Sequence, residues 1–221
     1  MYDQRVNDGD GLGVTAFVLA GGKSSRMGSD KAFLRLGEET LLSRVLKVAR
    51  AVASDVWIVG DAKKFAAVGQ VVEDVHRDRG PLGGIHGALS SSATELNLVL
   101  AVDLPFIGPE LLAYVLSQAR GSDAMVTVPR AGGRLQPLCA VYRRSFAQVA
   151  EESLRGGKNK IDPLFAKVAT RVIEEGELAG AGLSVDMFRN LNTPDDWERA
   201  KDLRSGPLSL ISYHRKERPE D

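Results

Sequence analysis

The chain has 221 residues, 43% hydrophobic and 26% charged, a balance that allows one substantial buried core and excludes a disordered or membrane-embedded chain. Its 29 Lys and Arg offset 29 Asp and Glu, so no global field marks it for nucleic acid or a membrane surface, and a small partner is expected. The one cysteine, Cys139, excludes an intrachain disulfide and a cysteine-based metal cluster. With no signal-peptide pattern and no apolar run of membrane-spanning length, a cytoplasmic protein is expected.

In chain order, residues 1–13 read as a flexible segment, 14–204 as a single domain, and 205–221, charged and with two prolines, as a loosely ordered tail. Short apolar runs at 15–19, 56–59, 71–73, 98–102, 124–128, 138–142 and 171–173 predict strands. Helical patterns fall between most of them. Leu41, Leu42, Val45, Leu46, Val48 and Ala49 form a stripe at helical spacing behind Thr40 as N-cap. Pro81, Pro109 and Pro194 each suit a helix's first turn. Between residues 124 and 142, two strand-like runs flank Arg130-Ala131-Gly132-Gly133-Arg134 with no helix, which predicts a hairpin excursion. The alternation as a whole predicts a three-layer α/β/α, Rossmann-like nucleotide-binding fold with a mostly parallel sheet.

The first strand runs into Leu19-Ala20-Gly21-Gly22-Lys23-Ser24-Ser25-Arg26-Met27-Gly28-Ser29-Asp30-Lys31. Glycine lets backbone N–H groups approach phosphate oxygens closely, and Gly21, Gly22 and Gly28 can serve in this way. Lys23, Arg26 and Lys31 add positive charge. Arg26 can clamp two oxygens, whereas Lys31 acts as a point charge. The spacing is not that of a P-loop. Gly11-x-Gly13-x-x-Ala16 precedes the first strand, where a dinucleotide fingerprint must follow one. The loop therefore reads as a cradle for a nucleoside triphosphate.

In an open α/β sheet ligands bind beyond the carboxyl ends of the strands, so strand-end residues come next. Asp103 follows the run at 98–102 and can serve a hard cation such as Mg²⁺, although taken alone it also suits a turn ahead of Pro105. Asp74 ends the third run and can accept from a purine edge or ribose, or be an exposed strand-end carboxylate. Gly80-Pro81-Leu82-Gly83-Gly84 opens a helix toward the same rim, its small residues leaving room for a flat base. His76 and His86 read as solvated loop histidines, and His214 in the tail receives no role. Asn190 and Asn192, ahead of Thr193 as N-cap and Pro194, share one face if extended and can complete a metal or phosphate site or simply form turns.

Together these residues resemble the nucleotidyltransferases of molybdenum cofactor biosynthesis, in the guanylyltransferase (MobA-type) branch. The matching pieces run from the glycine loop through Glu73-Asp74, Gly80-Pro81-Leu82, Asp103-x-Pro105-Phe106 and Gln136-Pro137-Leu138 to Asn190-x-Asn192-Thr193-Pro194. The resemblance implies Mg²⁺-dependent transfer of GMP from GTP to the phosphate of the molybdopterin cofactor. It implies GTP contacts at Leu19, Ala20, Gly21, Gly22, Lys31, Asp74, Gly80, Pro81, Leu82 and Asp103. Arg26, Lys31 and Asp103 would carry the catalysis, Asp103 with Asn192 would hold the metal, and Gln136, Lys158 and Asn190 would meet the acceptor. The GTP-using branch is also similar in its Leu-Ala-Gly-Gly and Gly-Pro-Leu pieces. It departs at Gly83, where the family often has Ala, and at Gly156-Gly157-Lys158-Asn159-Lys160, where Lys stands for a common Arg. Transient contact with cofactor-biosynthesis proteins or apo-molybdoenzymes is implied as well. A CTP- or sugar-directed nucleotidyltransferase, or a nucleotide-binding cofactor chaperone, would share the phosphate machinery.

Overall fold

The computed structural model describes residues 13–21, 30–73 and 79–191. The expected flexible segment up to residue 12, the tail at 205–221 and the helix start at Thr193-Pro194 lie outside the described residues.

Strand β1 (Val14–Leu19) is buried along its whole length, and successive side chains enter different cores. Val14, Ala16 and Val18 join one hydrophobic cluster, while Phe17 and Leu19 join the other. A strand covered on both faces needs apolar residues at every position, which is why this run shows no polar alternation. Strand β2 (Arg35–Leu36) and strand β3 (Glu39–Thr40) then form a small antiparallel ribbon that the sequence reading missed. Gly37, at φ 71°, makes its tight turn in a conformation that other residues rarely adopt.

Helix α1 (Leu41–Arg50) begins as expected, with Thr40 Oγ1 accepting from the Ser43 N–H at 3.1 Å. Strand β4 (Asp55–Val59), short helix α2 (Ala62–Phe65), strand β5 (Gln70–Val72) and helix α3 (Pro81–Ser91) follow, then strand β6 (Leu96–Ala101) and helix α4 (Pro109–Arg120). Pro81 and Pro109 occupy the first turns of α3 and α4. Next come strand β7 (Val126–Ala131), strand β8 (Arg134–Leu135), strand β9 (Cys139–Arg143), helix α5 (Phe146–Arg155), helix α6 (Asp162–Phe165), strand β10 (Thr170–Ile173) and helix α7 (Glu175–Gly180).

The sheet order is β10-β7-β9-β6-β1-β4-β5, with β8 pairing β7. Pairing is parallel for β1 with β4 and β6, β4 with β5, and β7 with β10, whereas β9 runs antiparallel to both β6 and β7. The two runs expected to flank a hairpin are β7 and β9, which do pair antiparallel, while the tight turn itself, through Gly132 and Gly133 at φ 59° and 71°, joins β7 to the short strand β8, which was not expected. Strand β7 starts two residues later than expected. Ala124 lies outside the ladder, where its carbonyl accepts from Arg143 Nε at 3.1 Å. Helices α1, α4 and α7 supply one core, and α3, α5 and α6 the other. This is the expected three-layer α/β/α arrangement.

His86 corrects the sequence reading. It is a buried residue of α3, not a solvated loop residue, and its Nε2 lies 3.3 Å from Ser90 Oγ one helical turn on. Helix α3 is buried from Leu82 through Leu89, between the sheet and α5, so polar residues in it must find partners inside the fold. Among the described residues no helix is long and apolar enough to cross a membrane.

At the β10 edge, Arg171 donates to both carboxylate oxygens of Glu177, which also accepts from the Glu174 N–H at 2.9 Å. The guanidinium first, and the backbone N–H second, hold the Glu177 carboxyl down to about 2 from its ordinary 4.5. A lowered folded-state pKa contributes stability above about pH 4.5 that is lost as pH falls through about 2. Urea unfolding of Glu177→Gln beside the parent chain checks this: the gap in midpoints is expected at neutral pH and should close across that acid window.

Candidate active site

The parallel register ends β1, β4 and β6 at one level, pairing Leu19 with Val59 and with Ala101. Beyond these ends opens a cleft of about 780 Å³. Leu19, Ala20 and Gly21 form its floor. Gly60, Asp61, Lys63, Lys64 and Phe65 line the β4 side together with Glu73 from the end of β5, and Gly80, Pro81 and Gly84 contribute from the start of α3. Val102 and Asp103 close the β6 side, next to Leu138 just ahead of β9. The cleft lies where the chain leaves β1 to one side for β4 and β5 and to the other for β6, the usual place for a ligand in an open α/β sheet.

Two charged side chains meet in it. Lys31 Nζ donates to Asp103 Oδ2 at 3.2 Å, with side chains only 15% and 20% exposed. Each is set by its backbone. Asp30 caps the 3-10 turn Lys31–Phe33 by accepting from the Ala32 N–H at 3.2 Å, and Lys64 of α2 pairs with the same carboxylate at 3.0 Å. The Phe33 ring stacks on Phe65, centroids 5.6 Å apart. On the other side, the Val102 N–H donates to the Leu19 carbonyl and the Leu191 N–H to the Asp103 carbonyl, both at 3.2 Å. Arg44 of α1 reaches across to the Pro105 carbonyl, Nε to O 2.6 Å.

A cation and a carboxylate facing one another in a concave cleft that further Lys, Asp and Glu side chains also line suit a ligand that carries negative charge and a metal ion. Nucleophilic catalysis by the lone thiol is excluded. Cys139 is fully buried, and burial pushes its pKa up to about 12, so it stays protonated.

Residues 16–170 match the model of the MobA-like NTP transferase domain. The chain belongs to this family. A protein of Pelotomaculum thermopropionicum named as a probable molybdenum cofactor guanylyltransferase is 42% identical over 207 residues, spanning 90% of this chain and all of that protein. A molybdenum cofactor guanylyltransferase of Syntrophotalea carbinolica is 32% identical over 195 residues, spanning 87% of this chain and 92% of that one. Among solved structures, molybdopterin-guanine dinucleotide biosynthesis protein A from Archaeoglobus fulgidus superposes with a TM-score of 0.76 at 26% identity, over 86% of this chain and 98% of that chain.

For a chain of this family the placement of the expected residues is informative. Leu19, Ala20, Gly21, Lys31, Gly80, Pro81 and Asp103 all line the one cleft. Gly22, Arg26, Asp74 and Asn192 lie outside the described residues. The N–H groups of Ala20 and Gly21 are bonded to the Val59 carbonyl, at 3.0 and 3.1 Å, so in this structure Gly21 shapes the floor of the cleft. Leu82 is wholly buried in the core under the rim. The Gln136 amide braces the hairpin, donating to the carbonyls of Ala131 and Arg134 at 3.1 and 3.2 Å. Lys158 is exposed beyond the end of α5, anchored through its backbone to Ser153. Asn190 is exposed and directly precedes the Leu191 anchor to Asp103.

The whole α2 wall was missed, although the strand-end rule applied to Val59-Gly60-Asp61 points to it. The small residues of α3 also gain a different reason. A Cβ on Gly84 would stand 3.2 Å from Leu19 Cδ2 and 3.6 Å from Val59 Cγ1, so this glycine lets the helix press on the floor of the cleft. Gly84→Val is expected to overpack that contact and destabilise the fold by about 2 kcal/mol, read from urea midpoints.

Proposed function

We propose that this protein transfers GMP from GTP to the terminal phosphate of molybdenum-molybdopterin, forming the guanine dinucleotide cofactor and pyrophosphate in the cytoplasm. The observation that carries this reading is the Lys31–Asp103 pair on the rim of a nucleotide-sized cleft, in a chain of the MobA-like family. An oxygen of the acceptor phosphate bonds to the α-phosphorus of GTP as the bond from that phosphorus to the α,β-bridging oxygen breaks. Pyrophosphate leaves with the bonding pair. A phosphate monoester loses its second proton at a pKa of about 6, so the nucleophile is largely ionised at neutral pH and needs no protein base.

What the protein must supply is position and charge. The floor at Leu19-Ala20-Gly21 and the α3 rim at Gly80 and Pro81 receive the nucleotide, with Asp74 assigned to guanosine. Lys31, together with Arg26, draws the triphosphate oxygens and stabilises charge that grows on the leaving group. The donor set suits a divalent ion, and we take it to be Mg²⁺. Asp103 offers one carboxylate, and among the described residues no group of three or more His, Cys, Asp or Glu is placed to hold a metal. A hard cation held by one or two carboxylates and completed by substrate phosphates and water has this requirement. Asn192 is assigned to assist Asp103. When bound, the ion would neutralise charge on the phosphates.

The acceptor is assigned to the β6–β9 side of the cleft, where Leu138 forms the wall, and Gln136, Lys158 and Asn190, which do not line the described cleft, are assigned to it from the family resemblance. Transient contact with other cofactor-biosynthesis proteins or apo-molybdoenzymes would deliver the acceptor and take the product.

The test is pyrophosphate release from GTP with Mg²⁺, with and without molybdopterin cofactor. Acceptor-dependent release, greater with GTP than with CTP or ATP, is expected. Release indifferent to the acceptor would overturn the reading. Asp103→Asn is expected to lower kcat roughly 100-fold while leaving the circular dichroism spectrum intact.

A further inference from the structure

On the reading just given, Lys31 and Asp103 serve different parts of one ligand, the cation a phosphate oxygen and the carboxylate a metal ion. In the structure they hold each other at 3.2 Å, both largely withdrawn from water. Charges so placed are costly singly and tolerable as a pair. A free triphosphate drawing Lys31 away would leave Asp103 facing added negative charge. A free divalent cation drawing on Asp103 would meet the Lys31 ammonium. A triphosphate that already carries its cation replaces both partners at once, phosphate for Lys31 and metal for Asp103, and strands neither.

Resting on that reading, we infer that the Lys31–Asp103 pair is a built-in set of counter-ions through which the cleft selects the cation-chelated nucleoside triphosphate as one unit, against either component alone. Lys31 is the partner that moves. Asp103 is fixed in backbone by the Leu191 N–H on its own carbonyl, and Arg44 on the Pro105 carbonyl holds the chain beyond it. The turn carrying Lys31 is capped by Asp30 and anchored by Phe33 on Phe65, so its Cα is held as well. The flexible methylene stem of a lysine nevertheless lets the ammonium swing between carboxylate and phosphate. No covalent bond changes; two ionic contacts are exchanged for two others. The consequence is reciprocal coupling, in which each component of the ligand binds better once the other has taken its member of the pair.

The experiment uses the whole chain and the two components separately. Mn²⁺ binding without nucleotide is followed by the paramagnetic resonance signal of the free ion, and GTP binding in EDTA by titration calorimetry. Lys31→Met is expected to tighten Mn²⁺ binding about tenfold, within the usual range for coupled sites, because Asp103 loses its resident cation. Lys31→Arg keeps the charge and should stay near the parent value, and Lys31→Gln is a second neutral variant should Lys31→Met fail to fold. Asp103→Asn is expected to tighten metal-free GTP binding by a similar factor. The inference is overturned if neutral variants at Lys31 bind Mn²⁺ no tighter than the parent, if Lys31→Arg tightens as they do, or if Asp103→Asn binds GTP in EDTA no tighter. Failure of the underlying reading looks different: the parent chain would then not bind GTP even with saturating Mn²⁺.

Discussion

The site depends on the register of β1 between β4 and β6. Leu19 stands opposite both Val59 and Ala101, so three strands finish together and their continuations are pushed into one space. Backbone hydrogen bonds carry the register past the strand ends. The Ala20 and Gly21 N–H groups reach the Val59 carbonyl, and the Val102 N–H reaches the Leu19 carbonyl. Because a strand's side chains alternate with period two, a one-residue slip would turn Leu19 and Phe17 into the wrong core and carry Asp103 away from the rim.

Register alone would bring backbone, not charge, to the cleft. The charged groups are aimed by ties that cross between elements: Asp30 capping the turn of Lys31, Lys64 on that cap, Arg44 on the Pro105 carbonyl, and the Leu191 N–H on Asp103. Each is modest alone, and exposed ion pairs such as Lys64 with Asp30 contribute little to global stability. Their effect is on position. Catalysis by charge requires groups already aimed where charge will develop, so small anchoring contacts bear on function more than on folding.

Legibility in the sequence followed the length and purity of the signal. The long apolar runs of β1 and β6 and the stripe of α1 were plain because each buries a continuous surface, and Thr40, Pro81 and Pro109 marked helix starts through local backbone chemistry. The β2–β3 ribbon was not, since a pair of two-residue strands has too few side chains to show a period. His86 was misjudged because its helix is covered by α5 and the sheet, segments distant in sequence that its glycine-rich neighbours do not reveal. Gln136 carried a motif that points to a ligand, and only the fold shows that its amide nitrogen braces the hairpin as well.

From residue order alone followed the alternation of strand and helix, the glycine-cation loop after β1 and the strand-end carboxylate at Asp103, because these rest on local preferences and on periodicity. The tertiary structure alone decided that Lys31 and Asp103 pair across 72 positions of chain, that the Gly21 N–H is tied to the Val59 carbonyl, and that α2 supplies a wall of the cleft. Those outcomes come from parallel pairing and helix packing between distant segments. No periodicity within a segment records which other segment it will meet.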